Sequence, residues 1–163
     1  MCEGINKFVF EEISRKKPKT IILHANWILY DDQKPVTNLA NTFEYISDVS
    51  PLSKIILVGG VPQYAPSLPT FMVNRRVTLA DNAKLVSPSY VKIASLDSQI
   101  SDVAASFGVD FFSPLNSLCD AVGCLVSSRY EGRLMPTAWD YGHLTSAGSV
   151  HLATKFMSSH LQK

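Results

Sequence analysis

Thr20-Ile21-Ile22-Leu23-His24-Ala25 is a continuous apolar run of strand length, with Pro18 shortly before it and Asn26-Trp27 directly after. An unalternating run of this kind is what a strand covered on both faces looks like. Upstream, Ile5, Phe8, Val9 and Ile13 recur at helical spacing, predicting an amphipathic helix over 4–17 that Pro18 ends. Downstream, Leu39, Phe43 and Ile46 predict a helix over 38–49, and Lys54-Ile55-Ile56-Leu57-Val58 reads as a second buried strand stopped by Gly59-Gly60. Residues 61–69 hold three prolines and read as a loop. A partial helical pattern covers 70–79. A fuller one covers 91–107, with Leu96, Ile100, Val103 and Phe107 in register, and 109–112 is a third strand. Segments 124–126 and 133–135 flank a turn at Glu131-Gly132 and predict a hairpin; 144–161 predicts a closing helix. Helix and buried strand alternate, which predicts a single α/β domain on a mostly parallel sheet.

The composition narrows the function classes. The chain has 163 residues, 46% hydrophobic and 18% charged, enough to bury one core and too apolar to be disordered. A formal net charge of +1 gives no reason to expect nucleic acid. The basic run Arg15-Lys16-Lys17-Pro18-Lys19 reads as a solvated helix end, where cations suit the dipole. The longest apolar stretch, 20–30, is interrupted by His24 and Asn26 and falls well short of the ~20 residues of a membrane span. No secretory signal pattern opens the chain.

In α/β sheets, ligand groups gather on loops after the strands' carboxyl ends. Three loops qualify: 26–34, 59–69 and 137–143. The last carries Asp140-Tyr141-Gly142-His143-Leu144. An Asp three residues before a His builds two-thirds of a hydrolytic triad, because the carboxylate can hold one ring nitrogen and leave the other to take a proton. The bland alternative is a turn-capping Asp beside a surface His. Asn26 is an oxyanion-donor candidate or a turn former; Trp27 and Tyr64 are candidates for a substrate groove, or a core-edge cover and a loop anchor respectively. His24 reads as a buried, hydrogen-bonded histidine, and His151 and His160 as structural or exposed positions on the last helix. Cys119 and Cys124 bracket a short loop that closes a disulfide in an oxidising compartment; two free thiols or half a zinc site are the alternatives, although no second ligand pair is suitably spaced. Gly59-Gly60 lacks both the GxGxxG arrangement and a Walker lysine, so no nucleotide, cofactor or metal is expected. No Gly-Asp-Ser or Gly-x-Ser-x-Gly motif occurs.

The segment Leu118-Cys119 … Gly123-Cys124-Leu125-Val126 … Trp139-Asp140-Tyr141-Gly142-His143-Leu144-Thr145-Ser146-Ala147-Gly148 resembles the C-terminal part of SGNH-type domains fused to bacterial membrane acyltransferases of family three. The stretch IILHANWILY, with Trp27 and Tyr30, and the stretch ILVGGVPQY are similar to the family's preceding strands. The resemblance implies a flavodoxin-like three-layer α/β/α sandwich that is SGNH-like. It implies transfer or hydrolysis of an O-acyl group, usually acetyl, on a cell-envelope polysaccharide such as lipopolysaccharide O-antigen. It implies a periplasmic location beside a membrane-embedded acyltransferase domain of the same parent chain, which suits a Cys119–Cys124 disulfide. Asp140 and His143 take the family's triad positions. The family's Gly-Asp-Ser block is absent here, so the nucleophile is expected outside this chain, which is expected to be incomplete at the N-terminus and inactive alone; the Gly-x-Asn-Asp block is absent too, so Asn26 is a positional candidate alone. A non-catalytic glycan-binding or docking domain is the competing reading, and an esterase using Ser113 or Ser128 a third, although neither serine reads as a strand-to-helix elbow. A missing first strand would leave an unpaired sheet edge, which predicts a homodimer, a swapped assembly or poor solubility.

Overall fold

The computed structural model describes residues 2–29 and 35–160. In chain order its elements are α1 (Cys2–Lys16), β1 (Thr20–His24), α2 (Pro35–Val49), β2 (Lys54–Val58), α3 (Leu68–Asn74), β3 (Lys84–Leu85) and α4 (Tyr90–Ser106). There follow β4 (Asp110–Phe112), α5 (Pro114–Leu118), β5 (Cys124–Leu125), β6 (Ser127–Tyr130), β7 (Arg133–Pro136) and α6 (Ser146–His160). They form two compact units, Met1–Gly59 with Leu96–Phe112, and Gly60–Ser95 with Ser113–Lys163.

The first unit is a parallel sheet in the order β1-β2-β4. Ile21 lies opposite Ile55, Leu23 opposite Leu57, and Leu57 opposite Phe111. Ile55 and Leu57 face a core with Ile13 of α1, Leu39, Phe43 and Ile46 of α2, and Ile100 and Ala104 of α4. Burying each large side chain contributes about 1.5–3 kcal/mol, so this cluster dominates the unit's stability. The exposed Lys54–Asp110 pair across β2 and β4, at 2.8 Å, adds at most about 1 kcal/mol. Gly59 ends β2 against the buried Asp97: a methyl group there would meet Asp97 Oδ1 at 2.5 Å. The glycine is thus explained by packing, with no phosphate loop involved.

Strand β2 and the face of α2 match the pattern read from sequence. β1 lies where the run 20–25 places it, but at the end of the described sheet it is not covered on both faces: Ile22 is 53% exposed. In α4, Leu96 and Ile100 are buried as expected, while Phe107 lies past the helix end and is exposed. The predicted inner face of α1 holds only at Ile13, which is buried. Ile5, Phe8 and Val9 are exposed, and Phe10 turns inward beside Ile13. Phe10 meets Tyr45 of α2 at a ring separation of 4.6 Å. His24 is likewise exposed rather than buried, with Nδ1 3.3 Å from the Val58 carbonyl.

The second unit has only short strands. β3 pairs antiparallel with β5, and β6 with β7. The hairpin around Glu131-Gly132 therefore exists, but its first arm is Ser127–Tyr130 rather than 124–126. Cys124-Leu125 is drawn to β3 instead, and the Val126 amide bonds the Ala83 carbonyl at 2.9 Å. The helix expected over 70–79 starts earlier, at Leu68, because Ser67 caps it with Pro69 in the first turn; it ends at Asn74. Helix α5 and strand β3 are too short to leave a periodic signal. Tyr64, Leu68, Met72, Val126 and Ala138 form this unit's core, and a Cys119–Cys124 disulfide closes the loop before β5.

Candidate active site

The Asp-His loop of the second unit is assembled mainly by backbone hydrogen bonds. After β7, buried Thr137 anchors the chain by donating its amide to Val126 O at 3.0 Å and its hydroxyl to Leu125 O at 2.8 Å. A bridge between Ala138 and Leu144, with Trp139 N–H donating to His143 O at 3.0 Å, pinches residues 139–143 into a closed loop. From outside, Leu68 N–H bonds Asp140 O at 2.9 Å and Tyr64 N–H bonds Tyr141 O at 2.8 Å. The supporting segment is itself fixed: Gln63 N–H donates to Ser89 Oγ at 2.8 Å, and Gln63 O accepts from the Ser87 and Ser89 hydroxyls.

Inside the loop, Asp140 Oδ1 accepts the amides of Gly142 at 2.9 Å and His143 at 2.8 Å. Its other oxygen, Oδ2, lies 2.6 Å from His143 Nδ1. Burial pulls the Asp140 carboxyl upward. The Gly142 amide, the His143 ring and the His143 amide together outweigh this and hold it down at about 2. At neutral pH the carboxylate is therefore ionised and can only accept, so Nδ1 of His143 faces it as the donor; in the neutral imidazole Nε2 is then the acceptor. The His143 side chain is 62% exposed, which leaves that nitrogen accessible to a reacting hydroxyl.

The motif's last residues complete the frame. Thr145 caps α6, its Oγ1 accepting Gly148 N–H at 3.2 Å while donating to Pro136 O at 2.6 Å. Gly148 lies so close to the strand end that a Cβ would fall 2.0 Å from Thr137 O. The order Asp-x-x-His-x-Thr-x-x-Gly is thus one unit: carboxylate, base, cap and close approach.

The other predicted positions fall as follows. Asn26 is half-buried in the first unit just after β1, and its carbonyl accepts from Leu29 N–H at 3.0 Å. Trp27 is buried, packs in the sheet core, and donates its indole N–H to Val58 O at 2.9 Å. Tyr30 lies outside the described residues. Tyr64 is only 2% exposed, with its ring in the second core against Phe71, a setting that suits the loop anchor better than a groove wall. Burial pushes its phenol up, and its hydroxyl has no partner among the described residues. Ser113 follows β4 and caps α5 through Asn116 N–H at 3.1 Å, so it does occupy a strand-to-helix junction that its sequence surroundings do not reveal. Ser128 lies within β6. Among the described residues no group of three or more His, Cys, Asp or Glu side chains is placed to hold a metal.

Two groups escape the sequence reading. Gln63, Ser87 and Ser89 steady the loop from residues remote in sequence, where only backbone contacts reveal them. Trp139 and Tyr141 flank Asp140, and their rings meet His143: Trp139 stacks at 5.8 Å and 24°, and Tyr141 stands edge-on at 5.2 Å. An aromatic on each side of the Asp was the available signal.

Residues 1–158 match the model of the SGNH domain (fused to AT3 domains), and the match runs through both units. The periplasmic domain of the Salmonella ser. Paratyphi A lipopolysaccharide acetyltransferase is similar in structure, with a TM-score of 0.79 and 27% identity over 98% of this chain. The chain spans 63% of that domain. A peptidoglycan O-acetylesterase has the same fold, with a TM-score of 0.61 at 14% identity, covering 92% of this chain and 39% of the other. No curated protein matches the chain in sequence.

Proposed function

This chain belongs to the family of SGNH domains fused to AT3 domains, and on that premise we propose that it supplies the base of an O-acetyl transfer to, or hydrolysis from, a cell-envelope polysaccharide such as lipopolysaccharide O-antigen. The observation that carries the reading is the Asp140–His143 pair, 2.6 Å apart and locked by two further amides on the same carboxylate. The parent protein carries a membrane-embedded acyltransferase domain, and the SGNH domain works on the periplasmic side, where the Cys119–Cys124 disulfide is at home. Among the described residues no helix is long and apolar enough to cross a membrane.

The nucleophile is a serine outside these 163 residues. His143 Nε2 takes its hydroxyl proton as Oγ attacks the acyl carbon, and Asp140 holds the imidazolium that forms. The tetrahedral intermediate collapses, the leaving oxygen takes the proton from His143, and the acyl group stays on serine. A sugar hydroxyl, or water in hydrolysis, then gives its proton to Nε2 and attacks the acyl carbon; the second tetrahedral intermediate expels the serine oxygen, which takes that proton back from Nε2. Backbone amides hold the oxyanion in both steps.

Fluorophosphonate labelling of the parent protein, read by mass, tests this. Labelling at one serine that disappears in His143→Ala is expected. Absence of labelling in the unaltered parent protein would instead favour a non-catalytic glycan-docking domain. Labelling at Ser113 would make this chain its own esterase.

A further inference from the structure

Trp139 is 63% exposed and Tyr141 39% exposed, although both bring large apolar surfaces to a loop that has an adjacent core available. Neither is loosely held. Trp139 N–H is bonded to His143 O, the Tyr141 carbonyl to Tyr64 N–H, and both rings rest against the His143 imidazole. Rigid, solvent-facing aromatics lose little entropy when a ligand covers them. They bracket the residue that must accept a proton from the incoming hydroxyl.

We propose that Trp139 and Tyr141 form the acceptor platform, on which a pyranose ring stacks and presents a hydroxyl to His143 Nε2. The inference rests on the acyl-transfer reading and assigns the residues that hold its sugar acceptor. The chemistry selects a sugar. An aromatic face carries partial negative charge and attracts the polarised C–H face of a pyranose, while the indole N–H and the phenol O–H at the ring edges suit its hydroxyls. A fatty acyl chain would gain nothing from those polar edges. The Asp140–His143 pair chooses which proton moves; the two rings choose whose hydroxyl stands there.

The chain has two tryptophans, which gives the test an internal control. Trp27 donates its indole N–H to Val58 O and is buried; Trp139 is open. In nitrogen-15 NMR of the 163-residue chain, titration with O-deacetylated lipopolysaccharide oligosaccharide is expected to shift the Trp139 indole signal saturably and leave Trp27 unmoved. Methyl butyrate at equal concentration is expected to shift neither. In the parent protein, Trp139→Ala is expected to raise KM for the oligosaccharide at least about tenfold with the rate of fluorophosphonate labelling retained. Trp139→Phe, which keeps a stacking face and guards against a folding defect, should recover most of the loss. A Trp139 signal indifferent to sugar overturns the proposal, as does one that follows methyl butyrate. So does a Trp139→Ala variant that loses labelling with KM unchanged, since Trp139 would then be a positioning residue for His143. If the parent protein never labels, the acyl-transfer reading fails while the NMR titration still decides the platform.

Discussion

The sheet unit buries Phe43, Ile46, Ile56 and Leu57 completely, whereas the second unit leaves Trp139, Tyr141 and His143 open to solvent. One is held by non-directional apolar burial over a five-residue parallel register. The other has an apolar core of its own around Leu68, Met72 and Val126, but its Asp-His loop is held by caps, turns and hydrogen bonds to backbone groups. The difference teaches where each kind of force is useful. Apolar burial sets a stable platform but tolerates small shifts. Directional bonds fix a carboxylate and an imidazole at 2.6 Å, which a proton transfer requires.

Substitutions should separate the two kinds of order. The largest effect belongs to the sheet unit. Phe43→Ala empties a site with no exposed surface and is expected to cost about 3–5 kcal/mol in denaturant unfolding. A loss below 1 kcal/mol would mean the core is not where stability resides. In the second unit, Gly148→Ala forces a methyl group against the Thr137 carbonyl and should cost about 1–3 kcal/mol. It should also weaken any His143-dependent labelling, because α6 and the strand end must separate; unchanged labelling and stability together would break the link between motif glycine and site geometry. Replacing Cys119 and Cys124 by Ser together opens a loop with a sequence separation of 5 and is expected to cost roughly 2 kcal/mol on the chain-entropy account. A reducing agent should reproduce that shift in the unaltered chain and add nothing to the double variant.

The smallest effect is a pH dependence. Asp140 is held at about 2, below its ordinary 3.8, so the unfolded chain binds this proton more tightly than the folded one. Its stabilising contribution is present above about pH 4 and is lost as pH falls toward 2. Asp140→Asn should flatten that part of the acid-unfolding profile, and an unaltered profile would show that the hydrogen bonds to the carboxylate contribute nothing.

The same contrast explains what was legible in the sequence. Strand runs 20–25 and 54–58 and the stripe Leu39-Phe43-Ile46 announce themselves because burial imposes periodicity on many residues at once. Asp140 and His143 were legible because their contact is local, three residues apart. Strand β3, helix α5 and the true first arm of the hairpin were not, because a two- to five-residue element rests on pairing partners remote in sequence, such as Lys84 opposite Leu125. On α1, Ile5, Phe8 and Val9 have the spacing of an inner face but are exposed, whereas Ile13 of the same pattern is buried and Phe10 packs against Tyr45. The bond from Gln63 to Ser89 left no mark in sequence at all.

On the proposed reading Asp140 orients His143 as the base of acyl transfer. The direct measurement is O-acetylation of envelope polysaccharide by the parent protein, compared between the natural sequence and His143→Ala, with expression and thermal unfolding matched. A fall of about 10⁶-fold is expected, as when a triad loses its base altogether. Acetylation that continues at its original rate in a folded His143→Ala protein would contradict it.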